Sequence, residues 1–404
     1  MAKISPFKAV LPVKDKAHLV ATRSYINYSK KHLKSKLQNN PFSFLQIINP
    51  DYLSPNPTKN IKKKFKLVRE KYEFFKKENI FYVDDSESFY LYRKINENKT
   101  YTGIISGVSI NDYYNGTIKI HEQTITKREK MFKNYLKATR FNAEPVLITH
   151  SHSEELNSLK LEALEEIPEF DFTTTNRSRH QIWKINTPAE IEIITKIFEQ
   201  IDSLYIADGH HRIASSALLS KGIDKNEAKS FMALLIDEQE LNILEFNRLV
   251  SSMSNLNTEE FINCLAPSFD ITKINDLDKK NLKKHEIGVY LNHSWYLLKL
   301  KPNMIDLNHP VKSLDPQILN DFILEPILDI QDLKTDKRIT FIGGNEPLKT
   351  LTKSVDKGKY QIAFILPPIS IDELKKVADA GMYMPPKSTY IEPKLRSGLT
   401  IYEF

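Results

Sequence analysis

The chain has 404 residues, 41% hydrophobic and 27% charged, with a formal net charge of +7. This is the balance of a folded protein long enough for about two or three domains. No apolar run approaches the roughly 20 residues of a membrane-spanning helix, and residues 1–7 carry no apolar signal core, so a cytoplasmic protein with no membrane partner is expected. The single cysteine, Cys264, excludes an internal disulfide and a cysteine-built zinc site.

In chain order, the lysines of residues 30–36 and 62–66 fall on two predicted helices. They read as solvated helix faces rather than as a DNA-binding surface. Residues 42–48 are apolar and predict a strand closed by Asn49-Pro50; residues 59–79 predict a helix with Phe65, Val68, Tyr72 and Phe75 available for one face. Residues 88–93 and 102–110 predict paired strands joined by a polar turn at 96–99, and Asn115-Gly116 a second turn. A charged helix over 126–139 precedes a strand at 145–148. The polar, acidic stretch 151–180 predicts a loop-rich insertion or a local boundary, followed by a strand at 183–185 and a helix over 188–201.

An apolar strand at 204–207 ends in Asp208-Gly209, and helical spacing begins at once. Strands are predicted at 231–236 and 241–250, and a second domain near 252–258, where Asn and Thr cap a new helix. Within it, Cys264 lies in a helical apolar pattern that predicts core packing. Strands at 287–290 and 295–300, a helix over 316–327, a strand ending at Gly343-Gly344 and a helix over 371–380 complete the pattern, ahead of a proline-rich tail. The expected fold class is α+β, with a domain over 1–252 and a smaller α/β domain over 253–404 whose tail returns to the site.

Three clusters carry candidate chemistry. The first is Asp208, Gly209, His210, His211 and Arg212, which put a guanidinium and two imidazoles at the positive end of a helix, an arrangement suited to phosphate. The second is His121, Glu122 and Thr124, with Asn142 and Glu144 downstream. The third is Lys387, Ser388 and Thr389 with Glu392, Lys394 and Arg396. Phosphoryl transfer needs cations on the phosphates, often a magnesium ligand, and a carboxylate to take the acceptor's proton. Arg212, His210, His211, Lys387 and Arg396 supply the first, Asp208 the second, and Glu122 or Glu392 the third. Each cluster also has a plainer reading: a capped helix, a surface strand end, a solvated loop. A metal held by His210 and His211 alone is not expected, because adjacent helical residues point about 100° apart and do not easily share an ion. No Walker loop, Gly-x-Ser-x-Gly, His-Glu-x-x-His or protein-kinase signature occurs.

Taken together, the motifs resemble those of the bacterial and archaeal domain of unknown function family 1015 (DUF1015). They are Asn40-Pro41-x-Ser43-Phe44-Leu45, Lys119-x-His121-Glu122-x-Thr124, Asn142-x-Glu144-Pro145, the 205–212 turn, Asn247-Arg248-x-Val250, Leu324-Glu325-Pro326 and Pro386-Lys387-Ser388-Thr389 with Pro393-Lys394. The chain departs from the family where Ser24 and Ile26 flank Tyr25 in place of proline and aspartate, and where Lys127-Arg128-Glu129 replaces an acidic stretch. The Asp-Gly-His-x-Arg turn also resembles that of the ParB/sulfiredoxin superfamily, which includes free-serine kinases. His210 stands where sulfiredoxins have a cysteine, which argues against their thiolate chemistry.

The resemblance implies a ParB/sulfiredoxin-like mixed core and a nucleotide-dependent kinase of a small hydroxyl compound, most like a free L-serine kinase forming O-phosphoserine. ATP or ADP and Mg²⁺ are the implied cofactors, and a nucleotide and a small hydroxyl substrate the partners. Gly209, His210, His211, Arg212, Lys387, Ser388, Thr389 and Arg396 would bind the nucleotide. Asp208 would hold Mg²⁺ or orient His210, and Glu122, His210 and Asp208 would be catalytic. His121, Thr124, Asn142, Glu144 and Glu392 would line the acceptor. The alternative is a non-catalytic nucleotide- or phosphate-binding regulator of ParB-like type.

Overall fold

The computed structural model describes residues 1–24, 28–96, 99–222 and 226–404. Tyr25, Ile26, Glu97 and Asn98 lie outside them, and with them the departure at Tyr25 and the middle of the 96–99 turn. Among the described residues no helix is long and apolar enough to cross a membrane. The fold is α+β and divides into two compact units. Met1–Lys119, Thr124–Leu241 and Pro393–Phe404 form the first; Ile120–Gln123 and Asn242–Glu392 form the second.

The first unit is built on a mixed sheet. Its strands are β1 (Ile4–Ser5), β2 (Phe89–Asn96), β3 (Lys99–Ser109), β4 (Ile118–Lys119), β5 (Val146–His150), β6 (Phe170–Thr173), β7 (Arg179–Ile185), β8 (Leu204–Asp208) and β9 (Ser230–Asp237). They lie in the order β4-β8-β5-β9-β3-β2-β7-β6, with β1 beside β3. The β4–β8 and β5–β9 pairs are parallel and the others antiparallel. Central strands covered on both faces carry continuous apolar runs, and Leu234 of β9 sits opposite both Leu147 and Ile105. The helices Thr126–Thr139 and His210–Ser220 pack together. A separate core of Val10, Phe44, Ile47, Val68, Tyr72, Phe75 and Ile401 anchors the N-terminal helices and the end of the chain.

The second unit holds an antiparallel sheet of β10 (Phe246–Val250), β11 (Phe269–Ile274), β12 (Glu286–Leu291), β13 (Ser294–Leu300), β14 (Ile339–Gly343) and β15 (Ile362–Ile365), in the order β11-β13-β12-β15-β10-β14. Side chains alternate across a strand, and β15 shows both faces at work. Ile362 and Phe364 join Phe261, Leu265, Ile318 and Ile323 on one side, whereas Ala363 and Ile365 join Leu351 and Val355 on the other.

Several local expectations are corrected. Residues 42–48 form a turn and a short helix, Leu45–Ile48, not a strand. The Asn40 and Ser43 side chains take the amides of Phe42 and Leu45 at 3.1 and 3.3 Å, which diverts them from any strand ladder. The 151–180 stretch is ordered: Ser153 caps a helix over Glu154–Leu164, whose acidic first turn suits its positive end, and β6 follows. The 241–250 strand is two. Asn242–Leu244 pairs with Tyr390–Glu392, β10 joins the six-stranded sheet, and the break falls at buried Glu245, which pairs with Lys279 at 3.0 Å. The 316–327 helix spans Asp315–Leu319 and widens into a π turn over Asn320–Leu324. Cys264 is exposed, because Phe261 and Leu265, one turn apart, take the buried face of their helix.

Candidate functional site

The site of the first unit is built at the end of β8. Pairing of β8 with β5 shifts register between Ile206 and Asp208, leaving Ala207 as an extra residue that re-aims the Asp208 side chain. Gly209 follows with φ +105°, a conformation side-chain-bearing residues rarely adopt, and the helix His210–Ser220 starts from it. The apolar strand fixes this turn; the glycine lets the helix leave it sharply.

Asp208 sits at the centre of an ion-pair network. Lys394 donates to its Oδ1 at 2.9 Å and Arg212 to its Oδ2 at 2.7 Å. The other Nη of Arg212 donates to Glu144 Oε1, and Ser397 Oγ donates to Glu144 Oε2 at 2.9 Å. Burial works to raise the Asp208 carboxyl, but the Lys394 and Arg212 charges beside it prevail and hold it at about 2. Two cations and two carboxylates therefore balance. Burial also lowers the His210 imidazole to about 4; Asp208 opposes this, and His211 and Arg212 add to it. His210 is neutral near pH 7, so the expectation that it supplies a cation is corrected: it adds no charge to the network.

The structure thus joins Glu144 to the Asp208–Arg212 turn, in the same ion-pair network. Asn142 lies in a two-residue strand opposite Tyr402, and the Thr124 hydroxyl is bound to Glu129 at the start of the next helix. Arg396 reaches the Thr174 hydroxyl at 3.1 Å and Asn176 Oδ1 at 2.6 Å. The remaining expected residues belong to the second unit. There the His121 carbonyl accepts from the Met384 amide at 2.8 Å, and Glu122 follows in the same short segment. Lys387 has φ +60°, its ammonium lies 5.2 Å from the Phe246 ring centre, and its carbonyl accepts from Arg248. Ser388 is buried and donates to the Pro385 carbonyl at 2.7 Å, Thr389 is buried beside it, and Glu392 accepts from Asn242 at 3.1 Å.

Lys394 and Ser397 are the site residues that the motif reading left without a role at Asp208. The only local signal was the Lys394-x-Arg396 spacing behind Pro393, which marks cations in a stiff tail but not their partners.

No curated protein matches the sequence. Among solved structures, a free serine kinase in complex with AMP is similar at 12% identity and a TM-score of 0.37, covering 72% of this chain and 88% of that one. A conserved hypothetical protein from Pyrococcus furiosus gives 13% and 0.36 over 74% and 94%. SbnI with a C-terminal truncation, from Staphylococcus aureus, gives 12% and 0.38 over 71% and 82%. Likeness at this level fixes neither ligand nor reaction, which reside in the site. Sequence membership is firmer: residues 4–317 match the model of one family, and the chain belongs to it, the family described as Protein of unknown function (DUF1015).

Proposed function

We propose that this chain is a nucleotide-dependent kinase of a small hydroxyl compound, most like a free L-serine kinase that forms O-phosphoserine. One observation carries the reading: Arg212 and Lys394 converge on Asp208 at the start of a helix reached through Gly209. A helix start favours anions, and a guanidinium with an ammonium there suits the phosphates of ATP or ADP. Asp208 and Glu144 hold these cations in place; an arriving phosphate would exchange for the carboxylates as their partner. The serine acceptor rests on the resemblance of the turn to that of free-serine kinases.

The donor chemistry at the network fits Mg²⁺, since Asp208 and Glu144 offer the hard carboxylate oxygens it prefers. When bound, it would offset the charge of the phosphates. His210, neutral and buried, would donate or accept a hydrogen bond without adding charge.

The test is to incubate the protein with Mg²⁺, ATP or ADP and a pool of hydroxyl amino acids, and to look for a phosphorylated product by mass spectrometry. Arg212→Ala should weaken nucleotide binding by about 1.5–3 kcal/mol, the usual scale for a hydrogen bond to a charged group. Glu122→Gln and Glu392→Gln belong in the same assay, because the reaction needs a carboxylate to accept the hydroxyl proton. Nucleotide binding without product under every acceptor would overturn the kinase and favour a non-catalytic regulator.

A further inference from the structure

A second cluster of the first unit lies on β2 and β7. In their antiparallel register His180 faces Lys94, and Ile182 faces Tyr92. Tyr92 and Lys94 are two residues apart, so both share one face of the sheet with His180. His180 is fully buried, its ring stacked between Tyr92 at 6.0 Å and Phe172 at 5.4 Å. Its Nδ1 lies 2.7 Å from the Tyr92 hydroxyl. Among the described residues that hydroxyl has no other partner, so it donates to Nδ1 and the imidazole proton resides on Nε2. His180 Nε2 has no hydrogen-bond partner among the described residues. A buried donor without an acceptor is costly and asks for one.

The surroundings specify which kind. Lys94 donates to the Lys394 carbonyl at 3.1 Å, and Arg396 is held only by the neutral oxygens of Thr174 and Asn176, with no carboxylate among the described residues. Burial, together with the charges of Arg396 and Lys94, lowers the His180 imidazole to about 3, so the group is neutral. Arg396 and Lys94 both act on the buried His180 ring, and Arg396 has no carboxylate partner among the described residues.

The geometry points to an oxyanion subsite in which His180 Nε2–H, the Arg396 guanidinium and the Lys94 ammonium take the carboxylate or phosphate group of a small molecule. Arg396, half-buried and on neutral partners, is the side chain that can turn to admit it. Lys394 links this subsite to the Asp208 network, because its carbonyl holds Lys94 while its ammonium holds Asp208. The subsite does not require the kinase reading; within that reading it is the place for the carboxylate of a hydroxyl amino acid.

The test is a titration of protein carrying ¹⁵N-labelled histidine, following the His180 imidazole nitrogens by NMR. The signals are assigned with His180→Gln, or with Tyr92→Phe should the first variant fail to fold. Sodium phosphate, L-serine and ADP are added separately, with sodium chloride at equal ionic strength as control. A saturable shift of Nε2 with at least one of the three, at least tenfold weaker in Arg396→Gln and absent with chloride, is expected. A shift with L-serine alone identifies a carboxylate, and one with phosphate or ADP identifies a phosphate. Nε2 signals unmoved by all three, or a shift unchanged in Arg396→Gln, overturn the subsite. No turnover is needed, so a protein that binds here yet transfers no phosphate loses only the kinase reading. One that forms product with a silent His180 loses only the subsite.

Discussion

Gly209→Ala tests the geometry of the turn most directly. At φ +105° the backbone is strained for any residue with a Cβ, by about 1–3 kcal/mol. Against this, alanine lowers the entropy of the unfolded chain, a gain of about 0.4–1 kcal/mol. The new Cβ would also lie 2.8 Å from Arg212 Nε and 2.9 Å from its Nη2. That clash is with the end of a flexible side chain, so the fold yields by moving the guanidinium, and the bonds to Asp208 and Glu144 are lost. Arg212 and Asp208 keep 26% and 38% of their side-chain surfaces exposed, so solvent screens the pair and its loss adds only about 1 kcal/mol or less. The sum centres on a first unit less stable by about 2 kcal/mol, with nucleotide affinity at least tenfold weaker, about 1.4 kcal/mol. Urea unfolding followed by the fluorescence of Trp183, in a Trp295→Phe background, reads the first unit, and calorimetry reads the affinity. A variant with unchanged midpoint and unchanged affinity refutes the argument that Gly209 sets the position of Arg212.

Three further outcomes are expected. Lys394→Met should raise the Asp208 carboxyl from about 2, since it removes one of the two cations that hold it low; ¹³C NMR of Asp208 checks this, and an unmoved titration contradicts the pairing. Burial, with Glu373, holds the Asp315 carboxyl up at about 7 against a His285 amide at 2.8 Å, so the native state keeps a proton the unfolded chain releases above its ordinary 3.8. That contribution is fully present below about pH 4 and is lost as pH rises through 7, with a ceiling of about 4 kcal/mol, so Asp315→Asn should flatten the pH dependence of second-unit unfolding read by Trp295; equal slopes in both proteins refute it. Exposed Cys264 should react with one equivalent of a thiol reagent in the native protein, and Cys264→Ser should leave stability unchanged; a thiol that reacts only after denaturation contradicts its placement.

What was legible in the sequence was local. The apolar run at 204–207, the Asp-Gly pair and the helical spacing after it are consecutive, and the structure builds β8, the turn and the helix from them. The Arg212–Glu144 bond joins residues 68 apart and the Lys394–Asp208 bond residues 186 apart, and no spacing rule encodes such pairs. The same blindness hid His180, which in sequence is one polar residue in a strand; only the register with Lys94 and the Tyr92 hydroxyl gives it a direction. Where local reading failed, it weighed composition over hydrogen bonding: 42–48 is apolar enough for a strand, yet Asn40 and Ser43 bind its amides.

Counting cations along the chain suggests a positive helix end waiting for phosphate, but the folded turn is nearly neutral. Arg212 and Lys394 are matched by Asp208 and Glu144, and His210 carries no charge near pH 7. An incoming phosphate therefore gains little from net charge. It gains from cations already oriented and from a helix dipole, and it must release two carboxylates. Released without compensation, those carboxylates would repel the ligand that displaced them. Affinity at this turn should thus depend on what neutralises Asp208 and Glu144 once their partners turn away. Under the proposed function, a divalent cation arriving with the nucleotide would do so. The network would then act as a filter, binding a metal-bound nucleotide better than bare phosphate. Carboxylates placed among phosphate-binding cations are in this way a source of selectivity rather than a loss of affinity.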